Sequence, residues 1–179
     1  MRIIALLVFG LVAGCGAPRT ILNPEQADVQ ALRSVESFQV KPVRNEFVPD
    51  PAWGIERKEW TDTKLYWNAA VIKEFVESKG RRFYELPPST EAKQGAIVEI
   101  EVLDIDIGKY AFFSYRPAKI SAVVTITDAQ TKKVLYKAKA QGETSGGGGW
   151  ETTKWGSRTK FAHLDVVWAI LEMIGNEKP

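Results

Sequence analysis

Residues 96–107 carry the strongest strand pattern in the chain and constrain its fold more than any other stretch. Val98, Ile100 and Val102 alternate with Glu99 and Glu101, after which Leu103, Ile105 and Ile107 continue on the opposite parity. Successive side chains of a strand point to opposite faces, so a change of parity turns the apolar set outward unless one extra residue absorbs it. A β-bulge near Val102 and Leu103 is the expected solution. Two more runs read as strands: 120–127, with Ile120, Ala122, Val124 and Ile126 inward, and 134–141, with a turn over 128–133 between them. A shorter strand is expected over 37–43, around Phe38 and Val40, with Pro42 suited to an edge or a strand end. Another is expected over 81–86, stopped by Pro87 and Pro88.

Two amphipathic helices accompany these strands. The first has Thr61, Asp62 and Thr63 as caps, places Leu65, Ala69, Ile72 and Val76 on its core face, and stops at Gly80. The second covers 159–174, with Leu164, Val167, Trp168, Leu171 and Ile174 recurring at helical spacing and Gly175 as its stop. Residues 44–60 contain Pro49, Pro51 and Gly54 and read as a long loop. The order β-α-β-β-β-α predicts an α+β fold, a mixed four- to five-stranded sheet with two helices on one face. In element order, and in the turn Asp128-x-x-Thr131-x-Lys133-Val134-Leu135, the chain resembles small outer-membrane assembly lipoproteins. LptE, the penicillin-binding-protein activators and uncharacterised lipoproteins of like size belong to that group. Lys132 stands where glycine is usual in that turn. The resemblance implies a fold and not an activity.

The N-terminus supplies an address. Arg2 precedes an apolar run over 3–12, about ten residues, which suits a signal-peptide core and is short of the ~20 that span a membrane. Small residues, Ala13 and Gly14, then precede Cys15, the only cysteine. Leu11-Val12-Ala13-Gly14-Cys15 resembles the lipobox of bacterial lipoproteins. That resemblance implies a diacylglycerol thioether on Cys15, cleavage before it and acylation of the new amine. Several acyl chains anchor firmly a domain that one chain would hold only marginally. Gly16, in place of aspartate, implies by the same resemblance sorting to the outer membrane, with the domain facing the periplasm. The expected organisation is a signal peptide over 1–14, a flexible tether over 15–25 and one α+β domain over 26–179. A single cysteine allows no intramolecular disulfide, so the domain depends on its core.

Composition narrows the function classes. Hydrophobic residues make up 45% and charged residues 26%, in the range of a globular protein. The net charge is only +2, with lysines and arginines scattered among acids, which argues against a nucleic-acid partner and its clustered basic face. No cofactor or metal set is legible. Ser145-Gly146-Gly147-Gly148-Gly149-Trp150 lacks the spaced glycines and following lysine of a phosphate loop and reads as a plain loop. Glu99, Glu101, Asp104 and Asp106 form a row and do not converge, so they read as a solvated face balanced by Lys137 and Lys139. His163, the only histidine, has no nucleophile in an identifiable motif beside it and is expected on the flank of the last helix.

The aromatic residues are more informative. Tyr110-Ala111-Phe112-Phe113-Ser114-Tyr115 lies between two strands, while Trp150 and Trp155 follow the last strand. In an antiparallel meander, the end of the third strand, the start of the fourth and the end of the fifth share one edge. Both aromatic stretches should therefore emerge together. Phe112, Phe113, Tyr115, Trp150 and Trp155 are the candidate contacts for a protein partner of the envelope, with a role in capping the core as the alternative. The expectation is a non-catalytic accessory protein, anchored to the membrane through Cys15. The alternatives are a binder of peptidoglycan or lipopolysaccharide sugars and, further off, a hydrolase, for which no nucleophile and base can be paired.

Overall fold

In the computed structural model, which describes residues 21–111, 114–144 and 154–176, the apolar strand faces meet in one mixed sheet. Its elements in chain order are β1 (Ile21–Ala27), α1 (Val29–Ser34), β2 (Ser37–Val40), β3 (Arg44–Asn45), α2 (Arg57–Glu77) and β4 (Arg82–Glu85). They continue as β5 (Ala96–Asp106), β6 (Lys109–Ala111), β7 (Ser114–Arg116), β8 (Lys119–Asp128), β9 (Val134–Glu143) and α3 (Trp155–Ile174). The sheet runs β1-β9-β8-β5-β2-β4, with β3 also on β5, and β6 pairs with β7 as a separate hairpin. Along β1, β9, β8 and β5 each strand is antiparallel to its neighbour, whereas β2 lies parallel to both β4 and β5. The α+β class and the mixed sheet agree with the pattern in the sequence. Among the described residues the sheet is wider than the expected four or five strands, and three α-helices stand where two were expected.

The β5–β8 register shifts between Val102 and Asp104, so the parity change is absorbed there by a bulge. Leu103 is the extra residue and is 52% exposed, while Ile105 returns to the core. Ile120, Ala122, Val124 and Ile126 of β8 are buried against the helices, as their alternation requires.

Three expectations need correction. Residues 21–25, placed in the tether, belong to β1, which pairs with β9 along its length. An edge strand is held chiefly by backbone hydrogen bonds, so a polar sequence with Pro24 beside a register shift leaves little alternation to read. α2 starts at Arg57, ahead of the three expected caps, and the 44–60 stretch also holds β3 and a 3-10 turn at Pro51–Trp53. Its buried face is Trp60, Trp67, Val71, Ile72 and Phe75, whereas Leu65 and Val76 are 65% and 48% exposed. At about 100° per residue the expected aliphatic stripe is turned roughly a third of the way round the helix from the buried one and shares only Ile72 with it, and the larger rings take the core.

α3 is buried on more than one side because it lies against α2 and against β8 and β9. Gly142 of β9 sets its distance: a Cβ there would come within 2.1 Å of the Ala162 carbonyl oxygen. The two long helices run parallel. Trp60 stacks on Trp155 at their N-terminal ends, and Asn176, just past α3, bonds Ser78 and the Arg81 backbone just past α2.

Candidate functional site: the aromatic end of the sheet

Register brings several strand ends together. Asp106 pairs with Lys119, Lys119 with Glu143, and Ile21 with Gln141. The end of β5, the start of β8, the end of β9 and the start of β1 therefore share one end of the sheet. From it projects the β6–β7 hairpin, in which Tyr110 pairs with Tyr115 and Lys109 with Arg116.

The root of the hairpin is built tightly. Asp106 Oδ1 accepts hydrogen bonds from the Gly108 amide (2.9 Å) and from Arg116 Nη2 (3.0 Å). Gly108 has φ +66°, and a Cβ at this position would lie 2.4 Å from the Arg116 carbonyl oxygen, so only glycine makes the turn without displacing backbone. A buried polar belt ties this root to α3. Arg158 Nε donates to the Ile107 carbonyl (3.2 Å), the Glu143 amide to Asp165 Oδ2 (3.1 Å) and the Thr144 amide to the Ala118 carbonyl (2.9 Å). Arg158, Asp165 and Thr144 are all buried, which removes competing water from these bonds.

Beneath the same end lies an aromatic cluster. Trp60 stacks on Trp155 (centroids 5.5 Å apart), and Trp67 meets both edge-on at 5.4 and 5.8 Å. Phe47 and Trp53 extend the cluster outward, 5.8 Å from each other. Each indole N–H of the inner rings is satisfied, Trp60 by the Phe47 carbonyl, Trp67 by the Gly156 carbonyl and Trp155 by Glu59 Oε1. Trp60 and Trp67 are buried, while Phe47, Trp53 and Trp155 are half-buried.

His163 closes the inner side of the cluster, stacked on Trp67 at 4.9 Å. It does not sit on a helix flank as expected; it is buried where α3 meets α2. Its Nδ1–H donates to the Thr159 carbonyl (2.8 Å), and Nε2 has no partner among the described residues. Burial pulls its pKa down to about 4, against a smaller upward effect of that hydrogen bond, so the ring is neutral at pH 7.

Of the residues singled out in the sequence, Cys15, Phe112, Phe113 and Trp150 lie outside the described residues, as does the run of glycines. Tyr115 belongs to β7 of the hairpin. Trp155, expected in a loop after the last strand, instead opens α3 and stacks on Trp60, because the indole has more surface to bury there than a loop offers. Three of the four carboxylates in the row form ion pairs, each with a cation other than the two expected. Glu99 pairs with Lys41, Glu101 with Arg44 and Asp106 with Arg116, while Lys137 and Lys139 pair with Glu25 of β1. Among the described residues, no three His, Cys, Asp or Glu side chains are grouped to hold a metal ion. The sequence reading missed Phe47, Trp53, Trp60 and Trp67 as one cluster. The signal was present in the recurrence of Trp53, Trp60 and Trp67 at seven-residue intervals.

No family model and no curated protein matches the chain. Solved structures resemble it in outline. PelC from Paraburkholderia phytofirmans, crystallised as a dodecamer, is 12% identical over 88% of this chain and 96% of its own, with a TM-score of 0.49. The hypothetical protein CT253 from Chlamydia trachomatis is 11% identical over 79% and 96%, also with a TM-score of 0.49. Lipoprotein GNA1162 from Neisseria meningitidis is 17% identical over 78% and 97%, with a TM-score of 0.34. At such distances no residue role passes from these proteins to this chain.

Proposed function

We propose that this chain is a non-catalytic, lipid-anchored accessory protein of the bacterial envelope. It is held at the outer membrane through Cys15, faces the periplasm and docks a protein partner with the aromatic end of its sheet. The observation that carries the proposal is the β6–β7 hairpin, which pairs with itself and extends past the main sheet at the end where the aromatic sequence is concentrated. An element that closes no sheet, on a root rigid enough to present it, is suited to contact rather than to folding. Phe112, Phe113, Tyr115 and Trp150 are the contacts proposed, beside whatever surface of Trp155 its stacking leaves open.

Phe113→Ala and Trp150→Ala together, introduced into the lipidated chain, test it. Partner capture from detergent-solubilised envelopes should be lost while circular dichroism stays unchanged, since anchors of this type often carry about 2 kcal/mol or more each. Undiminished capture by a folded double variant would remove this end from partner docking.

A further inference from the structure

The chain between the lipidation site and the sheet is short. Six peptide steps separate Cys15 from Ile21, where β1 begins, so even fully extended they span no more than ~22 Å. The end at which β1 begins is set by register. Ile21 pairs with Gln141 near the end of β9, while Ala27 pairs with Tyr136 near its start. The chain thus enters the sheet at the same end from which the β6–β7 hairpin projects. The β8–β9 turn and the C-terminal end of α3 lie at the other end, the length of β8 away. Ten residues of strand extend ~33 Å, more than the tether can reach. An inverted domain, with the β8–β9 turn on the membrane, would hold Ile21 farther from the bilayer than Cys15 allows.

We infer that the domain stands with its hairpin end toward the membrane, with Lys109 and Arg116 near the headgroup surface of the bilayer that holds Cys15. This rests on the lipid anchor of the reading above, and it narrows the partner to a protein in or on the same membrane. The chemistry of the hairpin suits the place. Lys109 and Arg116 are exposed and are paired in register across the two strands. Long basic side chains such as these favour a membrane–water interface, where the stem lies along apolar surface and the charge meets the headgroups. The bonds of Asp106 to Gly108 and Arg116 fix the hairpin as an extension of the sheet, so the orientation of the domain is passed to it.

The single cysteine makes a direct test possible, because acylation consumes the Cys15 thiol and any cysteine introduced elsewhere is then unique. Lys109→Cys and, at the opposite end, Gln130→Cys are exposed positions that can each carry an environment-sensitive dye in the full lipidated chain. The chain is reconstituted into vesicles of phosphatidylethanolamine and phosphatidylglycerol that contain spin-labelled lipid. The dye at 109 should shift to the blue and be quenched, and the dye at 130 should do neither. Equal quenching at both positions, or stronger quenching at 130, overturns the orientation while leaving the anchor intact. Shielding at 109 that arises only when envelope proteins are added, with no quenching by the spin-labelled lipid, also overturns it, since the hairpin end then does not stand at the bilayer surface. A chain that fails to float with the vesicles overturns the anchor and the orientation with it, whereas partner capture is read separately in the envelope assay.

Discussion

Burial leaves His163 with a single hydrogen bond, to the Thr159 carbonyl, and no room for a charge beside Trp67. Its pKa in the folded chain is about 4, and unfolding returns it to its ordinary 6.5. Between those values the unfolded chain takes up a proton that the folded chain refuses, so acid favours unfolding. This part of the stability is intact above pH 6.5 and is lost as pH falls toward 4, by about 3 kcal/mol in all. Urea unfolding at pH 7.5 and at pH 4.5 should show the loss. His163→Gln should flatten the slope between them, whatever its effect at pH 7.5, and a variant that kept the full slope would place the titrating group elsewhere. Lys132 illustrates a different local constraint. It has φ +60° in the β8–β9 turn, where the family resemblance leads one to expect glycine. Asp128 Oδ1 compensates by accepting from the Thr131 amide, the Thr131 hydroxyl and the Gln130 amide, which also holds its pKa below the usual carboxylate range.

At the scale of elements, the two long helices differ in how far their faces could be read. In α3 the periodic residues Leu164, Val167, Leu171 and Ile174 are buried as their spacing requires, and Trp168 of the same stripe is half-buried. In α2 two apolar stripes compete, and Trp60, Trp67 and Phe75 take the core while Leu65 and Val76 face outward. Nothing in a helical period says which of two stripes meets the sheet; that is decided by the space left beside α3, which Gly142 lets approach the backbone of β9. Leu171→Ala should therefore cost about 2–5 kcal/mol in urea unfolding. Leu65→Ala should stay within about 0.5 kcal/mol, as surface substitutions do. A loss at Leu65 comparable to that at Leu171 would mean that the aliphatic stripe is covered in solution.

For the whole molecule, the proposed function requires that a domain with a single cysteine be placed at a membrane. Among the described residues no helix is long and apolar enough to cross one. The proposed device is the lipid on Cys15, and Cys15→Ser should abolish palmitate incorporation and leave residues 1–14 uncleaved. Continued labelling of that variant would remove the anchor from the account. If the anchor holds, the pairing of β1 with β9 matters beyond stability, because it converts a short tether into an orientation.

The sequence by itself determined the features that depend on near neighbours along the chain. The β8 alternation, the bulge at Leu103, the core face of α3 and the Asp128 turn each follow from local geometry and solvent, within a few residues. Sequence also supplied the meander in which β5, β8 and β9 share an end. Only the tertiary structure decided the rest. β1 became a strand because β9 offered an edge, Trp155 left its expected loop for the surface of Trp60, and His163 was buried by the approach of α2. In each of these the decisive partner is distant in sequence. Its contribution is surface removed from water or a backbone bond satisfied on contact, and no local pattern records it.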